Sequence, residues 1–398
     1  MLVMPLSRPL KELDNNIPLI VEGQGVFIFQ AIEGASFSFF NKDSDRALSV
    51  EFDSHGVSVT TKPSDEPLVD RDNTRGLVGV PGAYYWFSLD SQNQVLYAGI
   101  GEPRLETVVY IYRFPSTFRS SNKAFLESLT HIVLHADSDT TPLKLLRDPI
   151  TNTVPLLVKD TSHLTMHHVA SANVMPVANL PPTSQKLYNC IAGPKFILDT
   201  DDFPDFFNAI QHSIATPGLW CYETLKRKAT EFNKDKPDPS ETYLRITLGQ
   251  NNGESPGVPY VMEIWPGGHY SPIHSHAGAE AVIRVLEGRI NVSLFPFLSE
   301  GAEPFAVAEF APGDIMWISP TLNQTHQLKN NGTMTCITIQ CYMYNDSDQL
   351  HYDYFDYLDI NGRVQQYEPD SDMDFLEFKE RMREEWLEQT QCCFGRRR

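Results

Sequence analysis

Three histidines carry the strongest chemical signal in this chain. His274 and His276 stand two apart in the run Gly267-Gly268-His269-Tyr270-Ser271-Pro272-Ile273-His274-Ser275-His276, and His326 follows fifty positions after His276. Side chains alternate along a β-strand, so His274 and His276 point to one face. Glu280 shares that parity if the strand runs unbroken through Ala277 and Gly278. Pro312-Gly313-Asp314 marks a turn that opens a strand ahead of His326. Two imidazoles on one strand and a third on a neighbour can converge on one ion inside a small barrel. Neutral imidazole suits iron, copper, nickel and zinc, and three such ligands leave positions free for substrate and oxygen. A lone histidine is ordinarily a satisfied core or surface residue. The metal reading rests on the joint pattern of the HxH pair with Glu280, Gly288, the Pro-Gly-Asp turn and His326. His163, His167 and His168 also cluster, but their surroundings offer no second half, and they are read as non-ligands. His269 is read as a loop or supporting residue.

The elements that must position these residues are strands. From Val26 to Phe114 the runs VFIFQ, SFSFF, LSVEF, VSVTT, YYWFSL, QVLYAGI and TVVYIYRF are short, β-branched and aromatic, with Gly, Asp, Asn and Pro clusters between them. That pattern predicts a β-sandwich, with Tyr84-Tyr85-Trp86-Phe87 in its core rather than stacking on a sugar. Gly99-Ile100-Gly101 is too short a glycine pattern for phosphate binding. Phe125 to Met175 adds strands or a helix. The domain boundary is placed near residue 195, giving domains 1–195 and 196–398. Apolar spacing predicts helices over Asp205–Ile214 and Leu219–Phe232, then a second strand-rich block from Thr242 to Tyr344. Asp372–Gln391 reads as an amphipathic helix whose apolar face holds Phe375, Phe378, Met382, Trp386 and Leu387. The fold class is therefore mainly β: an N-terminal sandwich followed by a barrel-forming block with flanking helices.

The 398 residues carry 32 basic and 51 acidic side chains, a formal net charge of -19. Such a surface repels phosphate backbones and anionic membranes, which excludes nucleic acid and membrane as principal partners. No apolar run reaches the roughly 18–20 residues that span a bilayer, and Met1 to Leu10 lacks a signal-peptide core. Six cysteines form no CxxC pair, so a reducing cytosol is the expected setting. Cys392-Cys393, beside Arg396-Arg397-Arg398, is a weak candidate for acylation or redox chemistry.

The arrangement of HxH, Glu280, Gly288, Pro-Gly-Asp and His326 resembles the two-part cupin signature, which implies a double-stranded β-helix (jelly-roll) barrel around a metal. More narrowly, Tyr243 to Tyr344 resembles cysteine dioxygenase and its thiol dioxygenase relatives. The matching residues are Tyr243-Leu244-Arg245, the Gly-His-x-Ser-x-Ile-His-x-His run and the Pro-Gly-Asp turn leading to His326. Residues 1–195 resemble no family. The resemblance implies that His274, His276 and His326 hold Fe(II), and that Arg245 grips a substrate carboxylate beside Tyr243. It also implies that Tyr342 is the active-site tyrosine near thiol and oxygen. A planar guanidinium suits bidentate carboxylate binding, and a phenol can donate a hydrogen bond. Parity places Thr338, Gln340 and Tyr342 on one face.

Three departures from that family stand out. Its Ser-x-His-x-Tyr relay reads here Thr338-Ile339-Gln340-Cys341-Tyr342, and Gln340 cannot take up a proton at neutral pH. Ala281 stands where animal cysteine dioxygenases carry a crosslinking cysteine. Glu280 fills the general cupin glutamate position, either as a fourth ligand or turned away and paired with Arg284 or Arg289. The expected function is an iron-dependent dioxygenase converting cysteine or 3-mercaptopropionate with O2 to a sulfinic acid. The alternatives are another metal-dependent cupin enzyme (oxidase, decarboxylase or lyase) using Glu280, or a non-catalytic cupin that binds a glycan or protein.

Overall fold

The structure, a computed structural model, describes residues 7–10, 16–43, 45–62, 69–72, 76–77, 79–80, 82–114, 121–135, 140–234, 236–248, 259–276, 278–344 and 354–395, with backbone only at 7–9, 62, 69, 121–122 and 391–395. The chain divides into two compact units, Met1–Val154 and Pro155–Arg398.

The first unit contains two six-stranded sheets. One runs, edge to edge, through Ser7–Pro9, Thr141–Leu146, Gln24–Gln30, Tyr84–Asp90, Val95–Ile100 and Val108–Arg113. The other runs through Asn16–Pro18, His131–Leu134, Gly34–Phe40, Ala47–Asp53, Gly56–Lys62 and Val69–Asp72. Alternation along Gly34–Phe40 buries every second side chain, the period-2 signature of a sheet with one face in a core. Phe29 and Phe87 of the first sheet meet Phe37 of the second at 4.8 and 5.1 Å between ring centroids. This aromatic seam is the sandwich core, and Tyr85 joins it against Phe52 at 5.3 Å. Trp86 points to the other face, among Val26 and Ile28. A side chain at Gly99 would run into the Trp86 indole, so that glycine serves packing.

The second unit begins forty residues before the boundary near 195 expected from composition. The reason is strand pairing that composition does not reveal. Strand β1 (Leu157–Lys159) pairs with β9 (Ile315–Ile318), and β2 (Met175–Pro176) pairs with β1. Helix α1 (Met166–Ser171) lies between them in sequence, and α2 (Pro182–Ile191) contacts β6 (Glu280–Glu287) and β11 (Cys336–Met343). The remaining strands are β3 (Leu244–Leu248), β4 (Tyr260–Trp265), β5 (His274–Ser275), β7 (Ile290–Leu294), β8 (Ala306–Phe310), β10 (Thr325–Lys329), β12 (Phe355–Leu358), β13 (Val364–Tyr367) and β14 (Met373–Asp374). They form an eight-stranded sheet in the order β2-β1-β9-β6-β11-β4-β3-β14 and a six-stranded sheet in the order β8-β7-β10-β5-β12-β13. This is a double-stranded β-helix of two sheets. Among the described residues no ladder joins them into the closed barrel that the sequence suggested.

Two cores sandwich the larger sheet. Its inner face contributes Tyr243, Trp265, Ala281, Ile283 and Val285, packed with Ile290, Val292, Leu294 and Leu328 of the smaller sheet. Its outer face contributes Leu244, Ile246, Met262 and Ile264. These pack under α3 (Phe206–Ala215), α4 (Trp220–Lys228) and α5 (Phe375–Gly395). On α5, Phe378 and Met382 are fully buried, with Phe375 and Trp386 beside them, whereas Leu387 is half exposed. At 100° per residue Leu387 falls off the stripe that the other four share, which corrects its assignment to that face. No helix among the described residues is long and apolar enough to cross a membrane. The side chains of Cys392 and Cys393 and residues Arg396 to Arg398 lie outside the described residues.

Candidate metal centre

The triad forms because β5 pairs with β10 in a register that sets His274 directly opposite His326 and Ser275 opposite Thr325. Residues opposite each other in an antiparallel pair project to the same face. His276 follows two positions along and returns to that face, so three rings meet with centroids 4.6 to 5.0 Å apart. One ring nitrogen from each lies within 4.8 Å of the others.

Hydrogen bonds behind two of the rings fix their tautomers. His274 Nδ1 donates to the Pro272 carbonyl at 3.0 Å, and His326 Nδ1 to the Asn323 carbonyl at 3.0 Å. Each Nε2 lone pair then points inward. His274 Nε2 lies 3.2 Å from His276 Nε2. That matches the edge of about 3 Å between two nitrogens bound at right angles and about 2.1 Å from one ion. His326 Nε2 is buried and has no partner among the described residues. Burial drives all three imidazoles toward neutrality, His274 to about 4 and His326 to about 3, with His276 also well below its ordinary value. Neighbouring histidines reinforce the effect on His276 and His326. A neutral, inward-facing nitrogen set fits a divalent transition metal.

Glu280 is not part of this set. Its Oε2 accepts a hydrogen bond from Ser184 of α2 at 2.5 Å, on the outer side of the large sheet. The parity argument fails because β5 ends at Ser275 and the chain turns at Gly278, where φ is +83°; Ala277 lies outside the described residues. After that turn Ala281, Ile283 and Val285 point to the inner core, so Glu280 and Arg284 face α2. Neither expected arginine pairs with Glu280. Arg284 donates to the carbonyls of Ile191 and Gly193, and Arg289 pairs with Glu309. In this structure Glu280 therefore faces α2 and stands outside the triad.

The other inward-facing residues close a cavity of about 10 Å³ over the triad. Its wall includes Tyr243, Arg245, Glu263, Trp265, Gln340 and Tyr342. Tyr243 stacks on Trp265 at 4.3 Å, and Thr338 stands behind that pair, accepting from Trp265 Nε1 at 3.2 Å. Tyr342 stacks over His276 at 5.5 Å. The polar side chains are linked in sequence. Arg245 Nη1 donates to Glu263 Oε1 at 3.2 Å, Gln340 Nε2 donates to Glu263 Oε2, and Tyr342 donates its hydroxyl proton to Gln340 Oε1. The sequence assigned Tyr342 as a donor toward the reaction space, but its single proton is directed at Gln340. Burial, then Glu263, pushes the Tyr342 phenol well above its ordinary value, while Arg245 pulls it back. Glu263 is pushed up to about 7 by burial, against the lowering influence of Arg245, Lys228 and Gln340.

Sequence reasoning missed Glu263, whose place in the site comes from its cross-strand register with Arg245. His269 sits elsewhere, its Nδ1 2.9 Å from the Thr242 carbonyl, and braces the loop before β5. His163, His167 and His168 are exposed or half exposed, and His168 caps α1 reciprocally with Thr165. Among the described residues they form no ligand group.

No family model and no curated protein matches the chain. Solved structures that it is similar to are cupin proteins. An oxalate oxidase in complex with the substrate analogue glycolate is 19% identical, with a TM-score of 0.22, covering 28% of this chain and 53% of that one. This chain thus spans about half the length of that oxidase. A cupin domain of an XRE-family transcriptional regulator from Enterobacter cloacae is 14% identical, with a TM-score of 0.21, covering 26% and 97%. An uncharacterized protein with a double-stranded β-helix domain from Klebsiella pneumoniae is 16% identical, with a TM-score of 0.22, covering 35% and 89%.

Proposed function

We propose that the second unit is a non-haem Fe(II) thiol dioxygenase that adds both atoms of O2 to the sulfur of a small carboxylate-bearing thiol, cysteine or 3-mercaptopropionate, giving the sulfinic acid. The observation that carries this reading is the unpartnered, buried His326 Nε2 within a set of three neutral imidazoles that contains no carboxylate. His274, His276 and His326 would hold the ion, which supplies the redox and thiol-activating chemistry when bound. Three ligands leave part of its coordination shell for small molecules.

The chain's own residues bind and orient. Arg245 retains a buried Nε without a partner among the described residues, a donor available to a substrate carboxylate. Tyr243 and Trp265 make the apolar wall against which the carbon chain of a thiol would lie. Tyr342 holds its proton on Gln340 while its ring stacks on His276. Gln340 fixes that direction because its amide nitrogen is committed to Glu263. The described cysteines Cys190, Cys221, Cys336 and Cys341 are free thiols, which suits the reducing cytosol we propose as its location.

The test is metal analysis joined to oxygen uptake. Protein supplied with ferrous iron is expected to bind one iron per chain, and to consume one O2 per thiol with cysteine or 3-mercaptopropionate. Iron-loaded protein that consumes no oxygen with either thiol refutes the dioxygenase reading. Protein that takes up no iron from a ferrous solution points instead to a non-catalytic binding role.

A further inference from the structure

One charged residue of the cavity wall enters the reading above only as the acceptor that holds the Gln340 amide. Glu263 is buried on β4 and lines the cavity. It is cross-strand partner to Arg245 on β3 and to Thr338 on β11. Its Oε1 takes Arg245 Nη1 at 3.2 Å and its Oε2 takes the Gln340 amide. The polar end of the cavity is therefore an ion pair, with Arg245 Nε still unpartnered among the described residues. A lone guanidinium attracts any carboxylate. A guanidinium already paired has given most of its field to its partner, and an incoming carboxylate also meets repulsion from that partner in a water-poor space. An ammonium on the same ligand reverses the balance, because each oxygen of Glu263 keeps a second acceptor direction.

We propose that Glu263 is a specificity-determining residue, whose carboxylate makes the Arg245 end of the cavity accept an ammonium beside a carboxylate and disfavour a bare carboxylate. The favoured ligand class is a small amino-acid thiol, and the disfavoured class is an amine-free mercapto acid. This rests on the thiol reading of the site and selects between the two substrates that reading left open.

The test is anaerobic binding calorimetry on the iron-loaded full chain at pH 8, with cysteine and 3-mercaptopropionate as probes, in wild type and Glu263→Gln. Wild type is expected to bind cysteine at least tenfold more tightly than 3-mercaptopropionate. Glu263→Gln should erase or reverse that ratio without lowering the iron content. Wild type that binds 3-mercaptopropionate as tightly as cysteine overturns the proposal even if the variant fails to fold. A wild-type preference that survives unchanged in folded Glu263→Gln overturns it as well. If neither thiol binds the iron-loaded protein, the thiol reading itself fails, and the proposal fails with it.

Discussion

Replacing His326 by glutamine in metal-free protein should change stability in a way that depends on pH. An imidazole in the unfolded chain titrates near 6.5, whereas burial holds folded His326 down to about 3. Between those values the unfolded state binds more protons, so stability is lost as pH falls through 6.5. From pH 7.5 to 5.5, proton uptake by one unfolded imidazole amounts to about 1 kcal/mol, and three buried imidazoles to a few kcal/mol. The raw profile is a poor test, because Glu263 contributes in the opposite sense. Its folded value is raised to about 7, so the folded state takes up its proton over the same interval, offsetting about 2 kcal/mol. Glu241, also raised to about 7, adds to that offset. The difference between wild type and His326→Gln cancels both carboxylates. At pH 7.5 the variant has some stability deficit, and at pH 5.5 that deficit should be smaller by about 1 kcal/mol. Urea titrations with a chelator present would measure it. Tryptophan fluorescence is a suitable signal, since of the five tryptophans only Trp86 belongs to the first unit. A deficit that stays constant or widens toward pH 5.5 would mean that the folded ring is not held neutral, and the inward lone pair that defines the centre would be lost.

Two further substitutions separate neighbouring roles. Arg245→Met strands Glu263 in a buried site with one remaining partner and should cost about 3–5 kcal/mol, whereas Arg245→Met with Glu263→Met should recover most of it; thermal unfolding of the pair decides this, and equal losses would deny the coupling. Ser184→Ala removes the donor to Glu280 and should destabilise by about 1–3 kcal/mol with iron content unchanged. A fall in bound iron would place Glu280 in the centre after all.

The three histidines were legible because their signal is local: strand alternation places His274 with His276, and a turn signal precedes His326. Arg245 and Tyr342 were singled out through resemblance, and both line the cavity beside the triad. Glu280 misled because parity holds only along a continuous strand, and here a glycine at positive φ ends the strand before Glu280 begins the next. Glu263 was invisible for the complementary reason. A single acidic residue in an apolar strand has many uses, and its meaning lies in the cross-strand register with Arg245, which no local pattern specifies. The unit boundary was missed similarly. Strand β1 has only three residues, too few for a periodicity, yet its pairing with β9 assigns it to the second unit.

The cavity volume and the bonds around it together decide how a ligand reaches the centre. About 10 Å³ is room for roughly one water, so a thiol of several heavy atoms requires part of the wall to move. Tyr243 and Trp265 are stacked and buried. Arg245, Glu263, Gln340 and Tyr342 are tied into one hydrogen-bonded chain whose rupture would leave a buried charge unpaired. Leu328 is packed into the core between the sheets. Phe355 is held differently, by ring contacts to His274 at 5.0 Å, to His276 at 5.7 Å and to Tyr367 at 5.0 Å. Ring contacts of this kind are worth about 0.5–1.5 kcal/mol each beyond burial, so the three together are comparable with separating a buried ion pair. Phe355 is itself buried on β12, so admitting a thiol displaces packed side chains or breaks the ion pair whichever wall gives way.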